Sequence, residues 1–221
     1  MSKFIRKIRA IVNPNSTFVG SQDYWEQRYA AGGHSGSGSY NNLAEFKAEV
    51  INTFIQQNDV KTVIEFGCGD GNQVRYMNYP SYIGLDVAKT AIKLCKDKYQ
   101  QDSSKSFFIY DTMSCVDNHR LFEAELTLSL DVIYHLIENE IFETYMRQLF
   151  KSSTKYVIIY SSDYDDGQVF HEKNRNFTKW VQSNIHGWRL LEKIKNKYPE
   201  DKNNPDATSK ADFFIYEKIK S

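Results

Sequence analysis

The stretch Val63-Ile-Glu-Phe-Gly-Cys-Gly-Asp-Gly-Asn72 decides the reading of this chain, because an apolar run with strand character passes directly into Gly67, Gly69 and Gly71. Glycine at such a turn lets backbone approach a ligand closely and adopt dihedrals closed to other residues. A dinucleotide-binding turn takes the form G-x-G-x-x-G, with its third glycine packing a helix near a pyrophosphate. Here Asn72 stands at that third position, which argues against a dehydrogenase.

Outward from this turn, strand and helix signals alternate. The strand candidates KTVIEF, SYIGLD, KSFFIY, AELTLSL and KYVIIYSS are short apolar runs suited to burial on both faces of a parallel sheet. Between them the pattern predicts helices after Gly71, near Ala88 to Tyr99 and over Glu138 to Phe150. A helix over Phe177 to Ile185 and two last strands, WRLLEKI and ADFFIYEKI, complete an α/β, doubly wound sheet of seven strands, mostly parallel with an antiparallel terminal pair. The polar stretch KYPEDKNNPDATSK between those strands is either a hairpin loop near a site rim or an exposed excursion.

Upstream, Leu43, Phe46, Val50, Ile51 and Phe54 recur at helical spacing, predicting a helix from Asn42 to Gln57 that packs on the sheet. The segment AAGGHSGSGSYNN before it is loop by composition and is expected to be flexible. The expected organisation is one domain over 1–221, with N-terminal helices and a Gly/Ser-rich lid loop in 1–57 and an α/β core in 58–221 whose acceptor-pocket elements follow residue 160.

The E-x-G-x-G-x-G arrangement from Glu65 to Gly71 resembles the first motif of class I methyltransferases, and further markers follow in that family's order. Asp86 ends YIGLDV, where a carboxylate can accept ribose hydroxyl hydrogens, a logic shared with nicotinamide enzymes. Asp111 in FFIYDTM matches the position that contacts the adenine amino group in this family, with Asp117 as rival and a helix cap as the plain alternative. LSLDVIYHLIENE places Asp131, Tyr134 and His135 just past the fourth strand, where ligands of open α/β sheets collect.

The resemblance implies a Rossmann-like methyltransferase fold with S-adenosyl-L-methionine as cofactor, held by Glu65, Gly67, Cys68 and Gly69 at the turn. Asp86, Val87, Asp111, Thr112, Leu130 and Asp131 would complete that site. The segments YWEQRYAAGGHSGSGSY, LDVIYHLIE and YVIIYSS are also similar to bacterial methyltransferases associated with surface-polysaccharide biosynthesis, which implies an O-methyltransferase of a sugar, sugar nucleotide or phosphate-bearing glycan precursor. N-methylation of an amino sugar or small amine is the alternative enzyme, and a non-catalytic cofactor-binding protein the alternative class.

Methyl transfer to a hydroxyl benefits from a general base, and His135 is the candidate, with Asp131 to orient it or to contact the methionyl part of the cofactor. The other reading of His135 is a histidine that hydrogen-bonds backbone at a helix start. Tyr24, Trp25 and Arg28 lie on one helical segment, Tyr24 and Arg28 four residues apart on a common face, and could close over the cofactor; the alternative is an ordinary amphipathic helix. Gly33, His34 and Ser35 could form a lid, with His34 also a candidate for contact with the acceptor. Tyr134, Tyr160, Ser161, His171 and Arg175 are acceptor-pocket candidates, the last pair spaced to clamp an anion. Asp163, Asp165 and Asp166 read as an acidic loop in preference to a metal site, so no metal is expected.

With 28 basic and 28 acidic residues the formal charge is zero, which speaks against nucleic acid or an anionic membrane as the main partner and leaves a small-molecule acceptor. Cys68, Cys95 and Cys115 form no disulfide framework or CxxC pair, which fits a reducing cytoplasm. The basic amphipathic start, MSKFIRKIRAIV, reads as a short helix with a solvated face, without an apolar run of signal or membrane-spanning length.

Overall fold

The computed structural model describes residue 18 and residues 20–219; the basic helix expected at the start of the chain lies outside them. Seven strands form one sheet in the order β3-β2-β1-β4-β5-β7-β6. They are β1 (Thr62–Phe66), β2 (Ser81–Asp86), β3 (Lys105–Ile109), β4 (Ala124–Leu130), β5 (Ser153–Ser161), β6 (Trp188–Ile194) and β7 (Asp212–Lys218). The first five are mutually parallel, and β7 runs antiparallel to both β5 and β6. The expected seven-stranded doubly wound arrangement with its antiparallel terminal pair is therefore the observed one.

Strand order reverses between β1 and β4, the switch point at which the carboxyl ends of neighbouring strands diverge and open a crevice. Helices cover both faces because the strands are apolar on both. Val63, Leu126 and Leu128 pack with Ile51 and Phe54 of α2 (Asn41–Gln57) and with Ile92 of α3 (Lys89–Tyr99). Ile64, Phe66 and Leu85 pack with Tyr145, Met146 and Leu149 of α4 (Asn139–Lys151) and with Phe177 of α5 (Phe177–Asn184). Two polar residues of β4 are satisfied on that second face: Thr127 donates to the Leu149 carbonyl and Ser129 shares a 2.8 Å hydrogen bond with Tyr145. A further helix, α1 (Ser21–Ala30), lies before the sheet in sequence and contacts α3.

Three local expectations are corrected. The helix expected after Gly71 is a single 3-10 turn over Gln73–Tyr76. Asn52 of α2 intervenes, donating to the Tyr76 carbonyl and accepting from the Asn78 N–H, and Pro80 holds the residue before it away from helical dihedrals. Strand β3 is an edge strand, so Phe108 and Ile109 are exposed instead of buried on both faces. The Gly/Ser-rich segment is tied down, since Ser35 N–H and the Tyr40 hydroxyl both donate to the Asp70 carboxylate and Asn72 donates to the Ser39 carbonyl.

Candidate active site

At the switch point a cleft opens to solvent above the carboxyl ends of β1, β2 and β4. Its floor is the glycine turn, anchored to β2 because Gly67 N–H and Cys68 N–H both donate to the Leu85 carbonyl at 2.7 and 3.0 Å. Gly67 and Gly69 have φ of 82° and 57°, which L side chains rarely adopt. A Cβ at Gly67 would lie 2.4 Å from Val132 Cγ2, and one at Gly69 would lie 2.3 Å from Ser35 Oγ. The turn thus needs glycine twice over, for dihedral and for space.

Asp86 closes β2 with its carboxylate buried, accepting from Gly69 N–H at 2.8 Å and Ala88 N–H at 2.9 Å. Burial raises its pKa to about 6 against the opposing pull of those two donors. Glu65 is buried in the same wall and raised to about 7 by desolvation, with a 2.7 Å hydrogen bond from Tyr82 and the charge of Lys47 acting the other way. Asp111 is half-buried, uses Oδ1 to accept from Met113 N–H, and lines the cleft beside Thr112. Cys68, Val87 and Leu130 line it as well. The rival Asp117 turns both oxygens on Leu121 and Phe122 N–H in a separate hollow.

Helix α1 roofs the cleft with a face other than the expected one. Ser21, Trp25 and Tyr29 line the cavity, whereas Tyr24 and Arg28 do not. Tyr24 stacks on His171 with ring centroids 4.6 Å apart, and Arg28 donates to the His34 carbonyl at 2.8 Å and to Tyr24. The spacing put Tyr24 and Arg28 on one face correctly; the direction of that face depends on how α1 docks. Docking is set by Glu138, which accepts from Ser21 N–H and its hydroxyl, and by Glu26, which accepts from Thr90 N–H and its hydroxyl. His34 is exposed, with Nδ1 accepting from Gly36 N–H, and stands outside the lining.

Past β4, Asp131 lines the cleft in a left-handed conformation, φ 60°. Its Oδ2 is 2.7 Å from Nζ of Lys47, a fully buried residue of α2, and its Oδ1 accepts from Tyr134 at 2.9 Å. Asp131 therefore does not orient His135. Tyr134 lies behind the lining, its hydroxyl committed to Asp131. His135 does line the cleft, and its Nδ1 is 3.0 Å from the His171 carbonyl. A carbonyl only accepts, so Nδ1 carries the hydrogen and Nε2 the lone pair. Burial lowers the His135 pKa to about 4, the bond to the His171 carbonyl opposing that shift.

The acceptor-pocket candidates divide. His171 lies parallel to His135 with centroids 5.2 Å apart. Tyr160 is fully buried under Lys47, and its hydroxyl accepts from Asn196, so it is a wall of the core and not open to an acceptor. Ser161 is also buried. Arg175 donates to the Leu136 and Ile137 carbonyls and to Asn139, bracing the β4–α4 connection where an anion clamp was expected. Asp163 caps α5 through Thr178, Asp165 accepts from Asn176 N–H and Asp166 from Gly167 N–H, as an acidic loop would.

Sequence reasoning passed over Lys47, Tyr29 and Gln73, while Trp25, named with Tyr24 and Arg28, is the one of those three that lines the cleft. Lys47 left a signal, standing four residues from both Leu43 and Ile51 within the apolar stripe of α2. Gln73 lines the cleft with Oε1 buried and without a partner.

No protein-family model matches the sequence, and no curated protein matches it. Solved structures do. Magnesium protoporphyrin IX methyltransferase from Synechocystis PCC 6803, with bound S-adenosylhomocysteine, is similar with a TM-score of 0.64 and 12% identity, covering 89% of this chain and 97% of that one. The N-methyltransferase NodS from Bradyrhizobium japonicum WM9 gives 0.62 and 13%, covering 81% and 99%. The methyltransferase domain of bacterial CtHen1-C gives 0.60 and 16%, covering 81% and 100%. The chain has the Rossmann-like fold these methyltransferases share, and at such identities the likeness reaches the fold alone.

Proposed function

We propose that the chain is an S-adenosylmethionine-dependent O-methyltransferase of a small polar acceptor, such as a sugar, sugar nucleotide or phosphate-bearing precursor of a bacterial surface glycan. The observation that carries the proposal is one continuous cleft, lined by Gly67, Gly69, Asp86 and Asp111 on one side and by His135 on the other. The residues fit the cofactor. Asp86 gives one lone pair to each of two backbone N–H groups and keeps others for ribose hydroxyls. The unpartnered Gln73 Oε1 is an acceptor that an ammonium group would satisfy. When bound, the cofactor supplies a sulfonium methyl group for in-line displacement by the acceptor.

The chain's own residues align and shield. Trp25 and Tyr29 roof the cleft and keep water from the reacting atoms. Asp86 and Asp111 orient the nucleoside, while the Lys47–Asp131 pair fixes the chain at the carboxyl end of β4. His135 presents Nε2 with its lone pair free to receive the proton of an acceptor hydroxyl. Its lowered basicity favours a second reading, a neutral amine acceptor that needs no proton removed before the methyl arrives.

The glycan assignment is supported by the resemblance of segments 24–40, 130–138 and 156–162. Balanced charge supports a small acceptor over nucleic acid, and three free cysteines support a cytoplasmic setting. Among the described residues no helix is long and apolar enough to cross a membrane. Calorimetry with S-adenosylhomocysteine tests the cofactor, with micromolar affinity expected. Turnover of tritiated cofactor against sugar nucleotides, phosphorylated sugars and amino sugars tests the acceptor, and no binding of S-adenosylhomocysteine would overturn the proposal.

A further inference from the structure

His135, His171 and Glu172 each offer a ligand atom, and these atoms all lie within 4.8 Å of one another. We propose that they form a divalent transition-metal site behind the wall of the cleft that His135 lines, with an open coordination position for an acceptor oxygen. The proposal rests on the methyltransferase reading for what the ion does, not for whether it binds.

The donor set is chemically apt. Two imidazoles and one carboxylate leave positions open and suit zinc, cobalt, iron or manganese in the divalent state. His171 Nε2 and Glu172 Oε1 are 3.9 Å apart, close to the roughly 3.4 Å separating two ligands that each sit about 2.1 Å from a tetrahedral ion. The His135 Nδ1 hydrogen bond to the His171 carbonyl fixes the tautomer that leaves Nε2 for a metal, the support that metal-bound histidines usually receive.

The ligands are held in place from several sides. Tyr24 stacks on the His171 ring. Val169 and Glu172 exchange backbone hydrogen bonds of 2.8 and 2.9 Å, closing a tight turn, and Lys173 N–H donates to the Tyr134 carbonyl, which brings this turn against the residue preceding His135. Lys210 Nζ sits 2.7 Å from Glu172 Oε2, leaving Oε1 directed to the histidine. That lysine also opposes a second cation, which predicts moderate affinity.

The ion would give an acceptor hydroxyl a route to ionisation at this end of the site. An acceptor hydroxyl drawn to it would lose its proton to water at lower pH than a free hydroxyl. The O–CH3 bond then forms as the sulfonium C–S bond breaks, and the electron pair stays on sulfur as a neutral thioether. Acceptors with two adjacent oxygens, such as vicinal diols, would be preferred because they can fill two open positions.

Cobalt titration of the chelator-stripped full chain provides the test, read by visible absorption and by calorimetry in competition with zinc. About one equivalent should bind with micromolar affinity. His171→Ala and Glu172→Gln should each weaken it at least about tenfold, and Lys210→Met should tighten it by removing the competing ammonium. Binding of S-adenosylhomocysteine to each variant reports that the fold is intact. Clearly substoichiometric cobalt, or native affinity in both ligand variants, would overturn the site. Stoichiometric cobalt without S-adenosylhomocysteine binding would uphold the site and sink the methyltransferase reading instead.

Discussion

Lys47→Met removes the cation buried beneath the cleft. Lys47 is inaccessible, lies 2.7 Å from Asp131 and sits 5.3 Å from the centre of the Tyr160 ring. Breaking a buried pair by deleting one partner costs about 3–5 kcal/mol, because the remaining charge is left uncompensated. Asp131 keeps 13% side-chain exposure and the Tyr134 hydroxyl, so the lower end, about 3 kcal/mol, applies. For a domain of this size that lowers Tm by about 6–12 °C. Adding Asp131→Asn, which tolerates φ 60° and removes the stranded charge, should restore at least about 1 kcal/mol. Urea unfolding of both variants and of Asp131→Asn completes the cycle. A loss under about 1 kcal/mol for Lys47→Met, or a double variant that shows the sum of the single losses, would refute the pairing argument.

Gly67→Ala and Gly69→Ala should each weaken S-adenosylhomocysteine binding at least about hundredfold, since both strain the turn. Cys68→Ser should stay within about threefold by calorimetry. Glu65 and Asp86 are both raised by burial from 4.5 and 3.8, so the folded state holds their protons more tightly than the unfolded state does. Their contribution is complete below about pH 4 and is lost as pH rises through about 6 for Asp86 and about 7 for Glu65, which urea titrations of the ligand-free protein should show. Ribose hydroxyls need the Asp86 carboxylate, so S-adenosylhomocysteine affinity should fall up to about tenfold per pH unit below about 6, and Asp86→Asn should flatten that profile. His135→Ala should slow methyl transfer to a hydroxyl by about hundredfold with cofactor affinity unchanged, whether the histidine takes the proton or holds an ion.

The glycine turn, the strands and the terminal antiparallel pair were legible because each is fixed by local chemistry: positive φ, burial on both faces, or turn residues between apolar runs. The helix after Gly71 was misread because its competitor is Asn52, over twenty residues upstream. Trp25 and Tyr29 share an i,i+4 relation just as Tyr24 and Arg28 do. Periodicity names faces; only the docking of Ser21 on Glu138 and Glu26 on Thr90 says which face turns inward. Lys47 could have been found, as a charge inside an apolar stripe has to have a partner.

The connection from Asp131 to Glu138 is where these long-range contacts converge. Lys47 reaches Asp131 from α2, Ser21 reaches the His135 carbonyl and Glu138 from α1, and Arg175 reaches the Leu136 and Ile137 carbonyls from beyond β5. The partners of those first two contacts lie 84 to 117 residues away, a separation that leaves no periodic trace in sequence. Physically they serve one end. The connection follows the strand at the switch point and carries no regular hydrogen bonding beyond one 3-10 turn, so its carbonyls and carboxylates need partners from elsewhere to stay in place. The donors that satisfy them belong to the roof helix, the buried lysine helix and the 171–175 segment, which makes the geometry of His135 depend on all three. Changes in the roof at Ser21 and in the brace at Arg175 should therefore disturb acceptor chemistry before they disturb the glycine turn, which is held by the Leu85 carbonyl and the Asp86 carboxylate of β2 and by Cys95, Lys98 and Tyr99 of α3.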